Sequence, residues 1–323
     1  MRWSRALTLQ SIKDNGGLES VIVKLRYSYP FEKITFNVLN TLIGERTRTL
    51  RLINIPENIF NNLHLLNIPN LHTLEIYMRN NNITSLEPLR MMRPKECSLS
   101  LFYEISSLEP LQGMCPESLI LYYFPKVSSL EPLRKMRPKS LELYSISSSL
   151  SSEEILEPLS EMRPKNLNLH HFPDVFSFTH ILNMRPESLI LNHFPSISSL
   201  EPLREILKEV KSCTLNYFPL IESLEPLRDM RPESLDLRFF PDVSSLEPLR
   251  NMRPESLKLT YFPLVESVEP LRELCLSMEL FKCQKMSPFP KVKTFEDYLQ
   301  NQPKNFILKD FPKVPSLRFE SSS

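Results

Sequence analysis

The sequence predicts an α/β solenoid, with a parallel β-sheet on one side and short helical turns on the other. The first observation is a repeated phrase: residues 233–263 read ESLDLRFFPDVSSLEPLRNMRPESLKLTYFP, in which SLDLRFFP returns as SLKLTYFP after 22 residues. The second is the alternation of leucine with variable residues inside these segments. The third is a stripe of apolar residues three positions apart between them. Periods of this length are typical of stacked supersecondary units.

Alignment on the Leu-x-Leu pairs divides the chain into about twelve units at intervals of 20 to 28 residues. The first apolar residue of each pair is Leu50, Leu74, Leu99, Leu119, Leu141, Leu167, Leu189, Cys213, Leu235, Leu257, Met278 and Phe306. Residues 21–25 (VIVKL) are interpreted as an additional upstream strand. We therefore predict an N-terminal capping region over residues 1–46, a single right-handed solenoid over 47–319 and a tail over 320–323.

Each unit is predicted to form a short strand, a Phe-Pro corner, one or two tight helical turns and a return. In SLKLTYF, Leu257 and Leu259 alternate with variable residues, which indicates a strand with one buried face. The apolar stripe has a period near 3.0, which is typical of a 3₁₀ helix, and its members are Val243, Leu246, Leu249 and Met252. Ser245, from the recurrent SSLEP phrase, is expected to cap this helix.

The period and the Leu-x-Leu pair resemble the leucine-rich repeat family over roughly residues 47–320. The 22-residue class with short helical segments, found in regulatory subunits of protein phosphatases, is most similar. The resemblance implies a concave parallel sheet and short 3₁₀ or α-helical turns on the convex side. The family has an asparagine near the end of its motif, LxxLxLxxN, whereas this chain has phenylalanine followed by proline. The phenylalanines are Phe124, Phe172, Phe194, Phe218, Phe240, Phe262 and Phe311.

We expect a stacked phenylalanine spine to replace the asparagine ladder of the family. The proline after each phenylalanine removes one backbone amide that would need a hydrogen-bond partner.

Two series of strand residues vary in chemistry from unit to unit and are predicted to share the exposed, concave face of the sheet. The series between the two leucines is Ile120, Glu142, Asn168, Ile190, Thr214, Asp236 and Lys258. The series after the second leucine is Tyr122, Tyr144, His170, Asn192, Asn216, Arg238 and Thr260. We predict that these residues bind a protein partner. The alternative is that they vary because solvent imposes few constraints.

A third series lies at the end of each strand, where alternation points inward but the approaching corner can expose the ring, and it is expected to form a packed aromatic rim. Its members are Tyr123, His171, His193, Tyr217, Phe239 and Tyr261. His171 and His193 fall in register about 5 Å apart by strand spacing. Neither HxxxH nor HExxH occurs, however, so we expect no metal site.

Rows of glutamate and arginine three residues apart are predicted on the helical side, where each row offsets the charge of the other. The glutamates are Glu131, Glu157, Glu201, Glu225, Glu247 and Glu269, and the arginines are Arg134, Arg204, Arg228, Arg250 and Arg272.

Composition and motifs argue against several classes of function. The chain has 39 Lys and Arg against 38 Asp and Glu, so we expect no nucleic-acid or membrane binding. It has only 4 glycines and neither phosphate-binding loop motif, and we expect no cofactor. The five cysteines show no CxxC spacing and are expected to be reduced, buried thiols. We found no nucleophile paired with a base.

The sequence therefore predicts a non-enzymatic, monomeric scaffold of the cytoplasm or nucleus that binds an unidentified protein. One alternative is a substrate-receptor or regulatory subunit of a ligase or phosphatase complex, docking through residues 1–46. A hydrolase with an unrecognised site is a second alternative.

Overall fold

The computed structural model describes residues 15–24, 35–79, 82–146, 155–271 and 306–309, with the backbone alone for the last range. They fall into two compact units, one up to residue 164 and one from residue 165. Each unit contains six parallel strands that follow one another in chain order. The first contains β1 (Ser20–Lys24), β2 (Thr49–Ile53), β3 (Thr73–Tyr77), β4 (Glu96–Ser100), β5 (Ser118–Phe124) and β6 (Ser140–Ile146). The second contains β7 (Asn166–His170), β8 (Ser188–Asn192), β9 (Ser212–Asn216), β10 (Ser234–Arg238), β11 (Ser256–Thr260) and β12 (Phe306–Lys309).

Short helical turns connect the strands, as the three-residue apolar stripe predicts. The 3₁₀ turns are Leu63–Leu65, Glu87–Leu89, Glu109–Leu111, Glu131–Leu133, Glu157–Leu159, Thr179–Ile181, Glu201–Leu203, Glu225–Leu227, Glu247–Leu249 and Glu269–Leu271. Three α-helices are also described: α1 (Phe36–Leu42), α2 (Glu57–Phe60) and α3 (Arg204–Leu207). The predicted α/β solenoid architecture, a parallel sheet with short 3₁₀ connections, is therefore confirmed within each unit.

The core of each unit consists of columns of equivalent side chains. Leu235 pairs in register with Leu257, and Leu237 with Leu259. All four are buried, while the residues between them are half-buried on the opposite face of the strand. This is the expected period-two pattern.

The phenylalanine spine is confirmed in the second unit, where the rings stack at about the spacing of the repeats. The centroid distances are 5.8 Å for Phe172 and Phe194, 5.8 Å for Phe194 and Phe218, 5.7 Å for Phe218 and Phe240, and 5.5 Å for Phe240 and Phe262. In the first unit, Phe124 stacks on Phe102 at 5.3 Å. Phe311 lies outside the described residues.

Each Phe-Pro corner is a tight turn. The Val175 amide donates to the Phe172 carbonyl at 3.4 Å, and the same bond closes the corners from Phe194 and Phe218. Proline lies at the second position of each turn, where its fixed φ is favourable and no amide is required.

The predicted register of the third unit is wrong by two residues. Cys97, not Leu99, occupies the first inward position, since it pairs with Leu74 on β3 and Leu119 on β5. The sequence SLSL in residues 98–101 imitates a Leu-x-Leu pair, while a small buried thiol fills the leucine position. The correction places Phe102 in the phenylalanine spine, where it is fully buried.

The last two units of the predicted repeat array are those at Met278 and Phe306. The unit expected at Met278 lies outside the described residues. β12 pairs directly with β11, with Phe306 opposite Leu257.

The upstream strand predicted at residues 21–25 is present as β1, which pairs in parallel with β2. The chain passes closely here: a Cβ on Gly17 would lie 2.5 Å from the Gly44 amide nitrogen. Thr47 is fully buried and ties the segment together, since its hydroxyl donates to Leu18 O at 2.7 Å and accepts from Gly44 N at 3.1 Å. These residues are therefore part of the first unit.

In most of the described 3₁₀ turns, including those of the SSLEP phrase, a serine does hold the start of the turn, but it lies one residue upstream of the N-cap position. Ser245 Oγ accepts from the Glu247 amide at 3.2 Å, whereas the N-cap residue is Leu246. Serine hydroxyls commonly close such local turns. The bond recurs at Ser85, Ser107, Ser129, Ser177, Ser199, Ser223 and Ser267.

The glutamate and arginine rows offset one another as predicted. Arg204 donates to both carboxylate oxygens of Glu201, at 2.6 and 2.9 Å, and Arg250 does the same with Glu247. These bonds lower the pKa of both glutamates. Arg134 also reaches Glu157 of the next repeat. Arg272 lies outside the described residues.

Candidate binding face and aromatic row

All the residues predicted to form the binding surface lie half-buried on the outward face of a strand, here called the sheet face of its unit. In the first unit they are Ile120 and Tyr122 on β5 and Glu142 and Tyr144 on β6. In the second unit they are Asn168, His170, Ile190, Asn192, Thr214, Asn216, Asp236, Arg238, Lys258 and Thr260. Within each unit, equivalent residues are neighbours across paired strands.

Tyrosine dominates the sheet face of the first unit. The rings of Tyr122 and Tyr144 stack with their centroids 4.4 Å apart. Burial raises the pKa of the Tyr122 phenol, and the neighbouring Tyr144 adds to the rise. The Tyr122 phenol is therefore a neutral hydrogen-bonding group near pH 7. This combination of apolar area and a polar tip is typical of interfaces.

Sequence reasoning missed part of this face. Tyr77 on β3 is 39% exposed and belongs to the same row as Tyr122, with Ser100 of β4 between them in register. Arg51 on β2 donates to Glu75 on β3 at 2.7 Å. The Leu-x-Leu pairs that begin at Leu50 and Leu74 could have revealed these sheet-face residues, because the residues that alternate with the leucines point to the opposite face of the strand.

The sheet face of the second unit carries a chain of polar contacts across its strands. The Asn216 side-chain amide donates to Asn192 Oδ1 at 3.0 Å, and Asn192 Nδ2 lies 3.4 Å from His170 Nδ1. On β10, Arg238 Nε donates to Asp236 Oδ1 at 2.7 Å. These contacts hold the side chains in place, which reduces the entropy that a binding partner must overcome.

The third series lies at the surface, where the corner exposes its rings, although strand alternation alone would direct them into the core. We define the aromatic row as His171, His193, Tyr217, Phe239 and Tyr261 in the second unit. Each of these residues has a positive φ, between 59° and 63°. The strand alternation therefore ends one residue early, and the following phenylalanine enters the core. Tyr123 in the first unit has the same conformation, with φ 62° and 37% exposure.

The rings of the aromatic row stack continuously along the repeats. Their centroids are 4.5, 4.4, 4.6 and 4.6 Å apart in chain order. This spacing matches the distance between neighbouring strands, so each ring lies over the next. The expectation that these aromatics pack against one another is correct, although they do so on the surface.

Two effects offset the cost of the left-handed backbone, which is about 1–2 kcal/mol per residue for a non-glycine. First, the strand hydrogen bonds continue through the corner: His193 N donates to Asn216 O at 2.8 Å, and Phe194 N to Tyr217 O at 3.2 Å. Second, each stacked pair contributes about 0.5–1.5 kcal/mol. The stack therefore fixes the corner while leaving the ring edges at the surface.

The stack also determines what the aromatic row can bind. Neighbouring rings cover one another's faces, so a base or sugar has no open face inside the row on which to stack.

Burial lowers the pKa of His193, and neighbouring His171 adds to the effect. Among the residues that the structure describes, no cluster of three or more His, Cys, Asp and Glu side chains could hold a metal ion.

A row of alternating charge at the strand starts was also missed. Lys139 and Lys95 lie 2.7 and 3.8 Å from Glu117 in the first unit. In the second unit, Lys165 and Lys211 each lie 3.3 Å from Glu187. The signal was the residue that follows the proline or valine before each strand, which is lysine at 95, 139, 165 and 211 and glutamate at 117, 187, 233 and 255.

The cysteines have no features of a nucleophilic site within the described ranges. Cys97 and Cys213 are buried, and burial raises the pKa of both thiols to about 12. Such thiols remain protonated and unreactive at neutral pH. Cys115 is exposed, contrary to expectation, because it lies in the segment that leads into β5. Cys275 and Cys283 lie outside the described residues.

No protein-family profile matches the chain, and no curated protein is significantly similar to it. In the described part of the chain, no helix is long and apolar enough to cross a membrane.

Proposed function

We propose that this protein is a non-enzymatic scaffold that binds a protein partner through the sheet faces of its two units. The observation that carries the proposal is the contrast between constant and variable positions. The inward columns repeat leucine and phenylalanine, whereas the half-buried positions between them include tyrosine, isoleucine and asparagine as well as acidic and basic residues. A surface of this kind can distinguish one partner from another.

The contacts between sheet-face side chains favour a binding function over the alternative that these residues vary because solvent imposes few constraints. The Tyr122 and Tyr144 stack and the His170, Asn192 and Asn216 contacts hold side chains of neighbouring repeats in defined positions. A prearranged surface loses less side-chain entropy on association.

We further propose that the chain is a divergent leucine-rich repeat protein of the cytoplasm or nucleus, with Phe-Pro in place of the family asparagine. The 22-residue spacing, the Leu-x-Leu strands and the short 3₁₀ turns support this assignment. The sheet faces correspond to the face through which such solenoids commonly bind their partners.

The test begins with affinity capture from native cells and identification of the captured protein by mass spectrometry. Calorimetry then measures its affinity for purified variants. One variant combines Tyr122→Ala with Tyr144→Ala, and a second combines Asn216→Ala with Arg238→Ala. We expect at least one of them to weaken binding about tenfold or more, as loss of central interface residues commonly does.

Arg204→Ala with Arg228→Ala, on the helical side, is the matched control and should retain wild-type affinity. Circular dichroism must show that each variant is folded. Wild-type affinity in both sheet-face variants would rule out the proposed surface.

A further inference from the structure

The corners that follow strands β7 to β11 share an unusual charge composition. They comprise residues 171–177, 193–199, 217–223, 239–245 and 261–267, and we call their exposed side chains the corner strip. The strip contains Asp174, Glu222, Asp242 and Glu266 but no lysine or arginine. The whole chain is nearly neutral, with 39 basic and 38 acidic residues, so this excess of negative charge is local.

The corner strip is also apolar. Phe176 is 57% exposed, Leu220 48%, Tyr261 39% and Leu264 37%. Tyr261 belongs to the aromatic row, whose left-handed backbone directs one more ring to the surface at every repeat, and Phe176, Leu220 and Leu264 follow members of that row in the same corners. Large apolar side chains that gather at one edge of a folded protein, and not singly, are typical of a site that another molecule covers.

The geometry of the turn brings the carboxylates and the aromatic rings close together. Asp174 follows His171 by three residues across the turn from Phe172 to Val175, so the two Cα atoms are within about 11 Å. The same holds for Asp242 and Phe239. Five corners at a strand spacing of about 4.8 Å make the strip about 19 Å long, which is the length of a helix of about 13 residues.

At one end the strip opens into a groove of about 600 Å³ that Leu264 borders. Glu266 and Glu269 line the groove together with Ser244 and Ser267, and Arg250, which also lines it, is paired with Glu247. The groove thus combines an apolar wall with carboxylates, which suits the long apolar stem and charged end of a lysine or arginine.

We propose that the corner strip binds a cationic amphipathic segment of a partner protein. Apolar side chains of that segment pack on Leu220, Leu264 and the ring edges of the aromatic row, and its lysine or arginine side chains pair with the carboxylates. Within the described part of the chain, Asp174, Glu222 and Asp242 form no ion pair, so their charges are available to a partner.

The same features exclude other kinds of ligand. The carboxylates repel the phosphates of nucleic acids and of anionic membranes. The ring faces inside the aromatic row are covered by neighbouring rings, so stacking of a base or a sugar is blocked. This surface is separate from the sheet faces, and the inference stands whether or not those faces bind a partner.

Fluorescence anisotropy with a labelled peptide of about 14 residues tests the proposal. Leucine and lysine are placed in the peptide so that a helix has one apolar and one cationic face. A second peptide replaces every lysine with glutamate. We expect the full-length protein to bind the lysine peptide, with an affinity that falls as salt is added, and not to bind the glutamate peptide.

Matched pairs of substitutions separate local binding from overall charge. Glu222→Gln with Asp242→Asn neutralises two corner carboxylates, whereas Glu233→Gln with Glu255→Gln neutralises two at the strand starts of the same unit. We expect the corner pair to weaken lysine-peptide binding about threefold to tenfold, a range typical of exposed charge pairs. The strand-start pair should leave the Kd within about twofold. Equal effects of the two pairs would show attraction without a local site and would overturn the proposal.

Phe239→Asn tests the apolar contribution, because asparagine tolerates a positive φ and leaves the corner conformation intact. We expect this variant to keep its circular dichroism spectrum and to lose lysine-peptide affinity. Unchanged affinity in Phe239→Asn, or no binding of the lysine peptide to the wild-type protein, would also overturn the proposal.

Discussion

Substitution of Phe218 measures how much the phenylalanine spine contributes to stability. The ring is fully buried, with centroids of Phe194, Phe240 and Phe178 at 5.8, 5.7 and 6.3 Å. Truncation of a buried phenylalanine to alanine costs about 3–5 kcal/mol. Three aromatic neighbours place Phe218→Ala in the upper half of that range, because each favourable ring pair adds about 0.5–1.5 kcal/mol.

Phe218→Asn introduces asparagine, the residue that the leucine-rich repeat motif has near its end, yet we expect it to be the less stable variant. The neighbouring spine residues offer no hydrogen-bond partner to the amide, and Pro219 has no N–H. A buried polar group without a partner costs about 1–3 kcal/mol. Asparagine should therefore lose more stability than alanine although it fills more of the cavity.

Urea unfolding followed by circular dichroism measures the free energy of unfolding of both variants. An unchanged dependence on urea shows that the same unfolding transition is compared. Phe239→Asn, at a half-buried ring with two stacked neighbours, is the control and should lose only about 1–2 kcal/mol. If Phe218→Asn proves more stable than Phe218→Ala, the spine is not the dry column inferred here and this reasoning fails.

Three further predictions concern the cap, the aromatic row and the charged row. Thr47→Val should lower the free energy of unfolding by about 2–4 kcal/mol in urea, because Leu18 O and Gly44 N lose their buried partner, whereas Thr41→Val at an exposed site should have little effect. Burial lowers the pKa of His193, so the stabilisation by its neutral form is present above its ordinary pKa of about 6.5 and is lost as pH falls below it. His193→Phe should therefore make the melting temperature less sensitive to pH between 7 and 5, and an unchanged pH dependence would contradict this. Glu187→Lys places three lysines side by side and should lower the melting temperature, less so in high salt, while Glu233→Lys, with one lysine and one glutamate neighbour, should change it little.

The features that could be predicted from the sequence are those that repeat within it. The Leu-x-Leu alternation predicted the strands, and the three-residue stripe predicted 3₁₀ turns because that helix has three residues per turn, whereas the α-helix has 3.6. Phenylalanine at most of the corners predicted the spine. In each case the same type of residue occupies the same environment in successive repeats. A comparison of the repeats within this chain was therefore sufficient to predict the feature.

The features that escaped prediction depend on backbone conformation or on neighbouring repeats. Tyr217 continues the alternation of its strand in the sequence, but its positive φ turns the ring to the surface. Nothing in the letters marks this change, since the residue is not glycine. The register at Cys97 was missed because a buried thiol can replace leucine, and SLSL offered a false pair.

The candidate sites illustrate the same difference. Side-chain alternation placed Tyr122 and Asn216 on the outward face, but their contacts with neighbouring repeats depend on strand register and rotamer. The excess of carboxylates in the corner strip could be counted from the sequence. That these carboxylates adjoin exposed rings became evident only from the positive φ values.

The Phe-Pro corner connects the stability of this fold with its candidate binding surface. In the leucine-rich repeat family, a side-chain amide satisfies the backbone of the turn. In this protein main-chain hydrogen bonds satisfy the backbone of the turn; for example, Phe218 N donates to Phe239 O at 3.1 Å. The phenylalanine side chain fills the core. Those bonds require the preceding residue to adopt a positive φ, and a side chain in that conformation points outward. The packing that replaces the asparagine ladder thus creates the aromatic row, so substitutions of Phe218 should disturb the corner strip as well as the core.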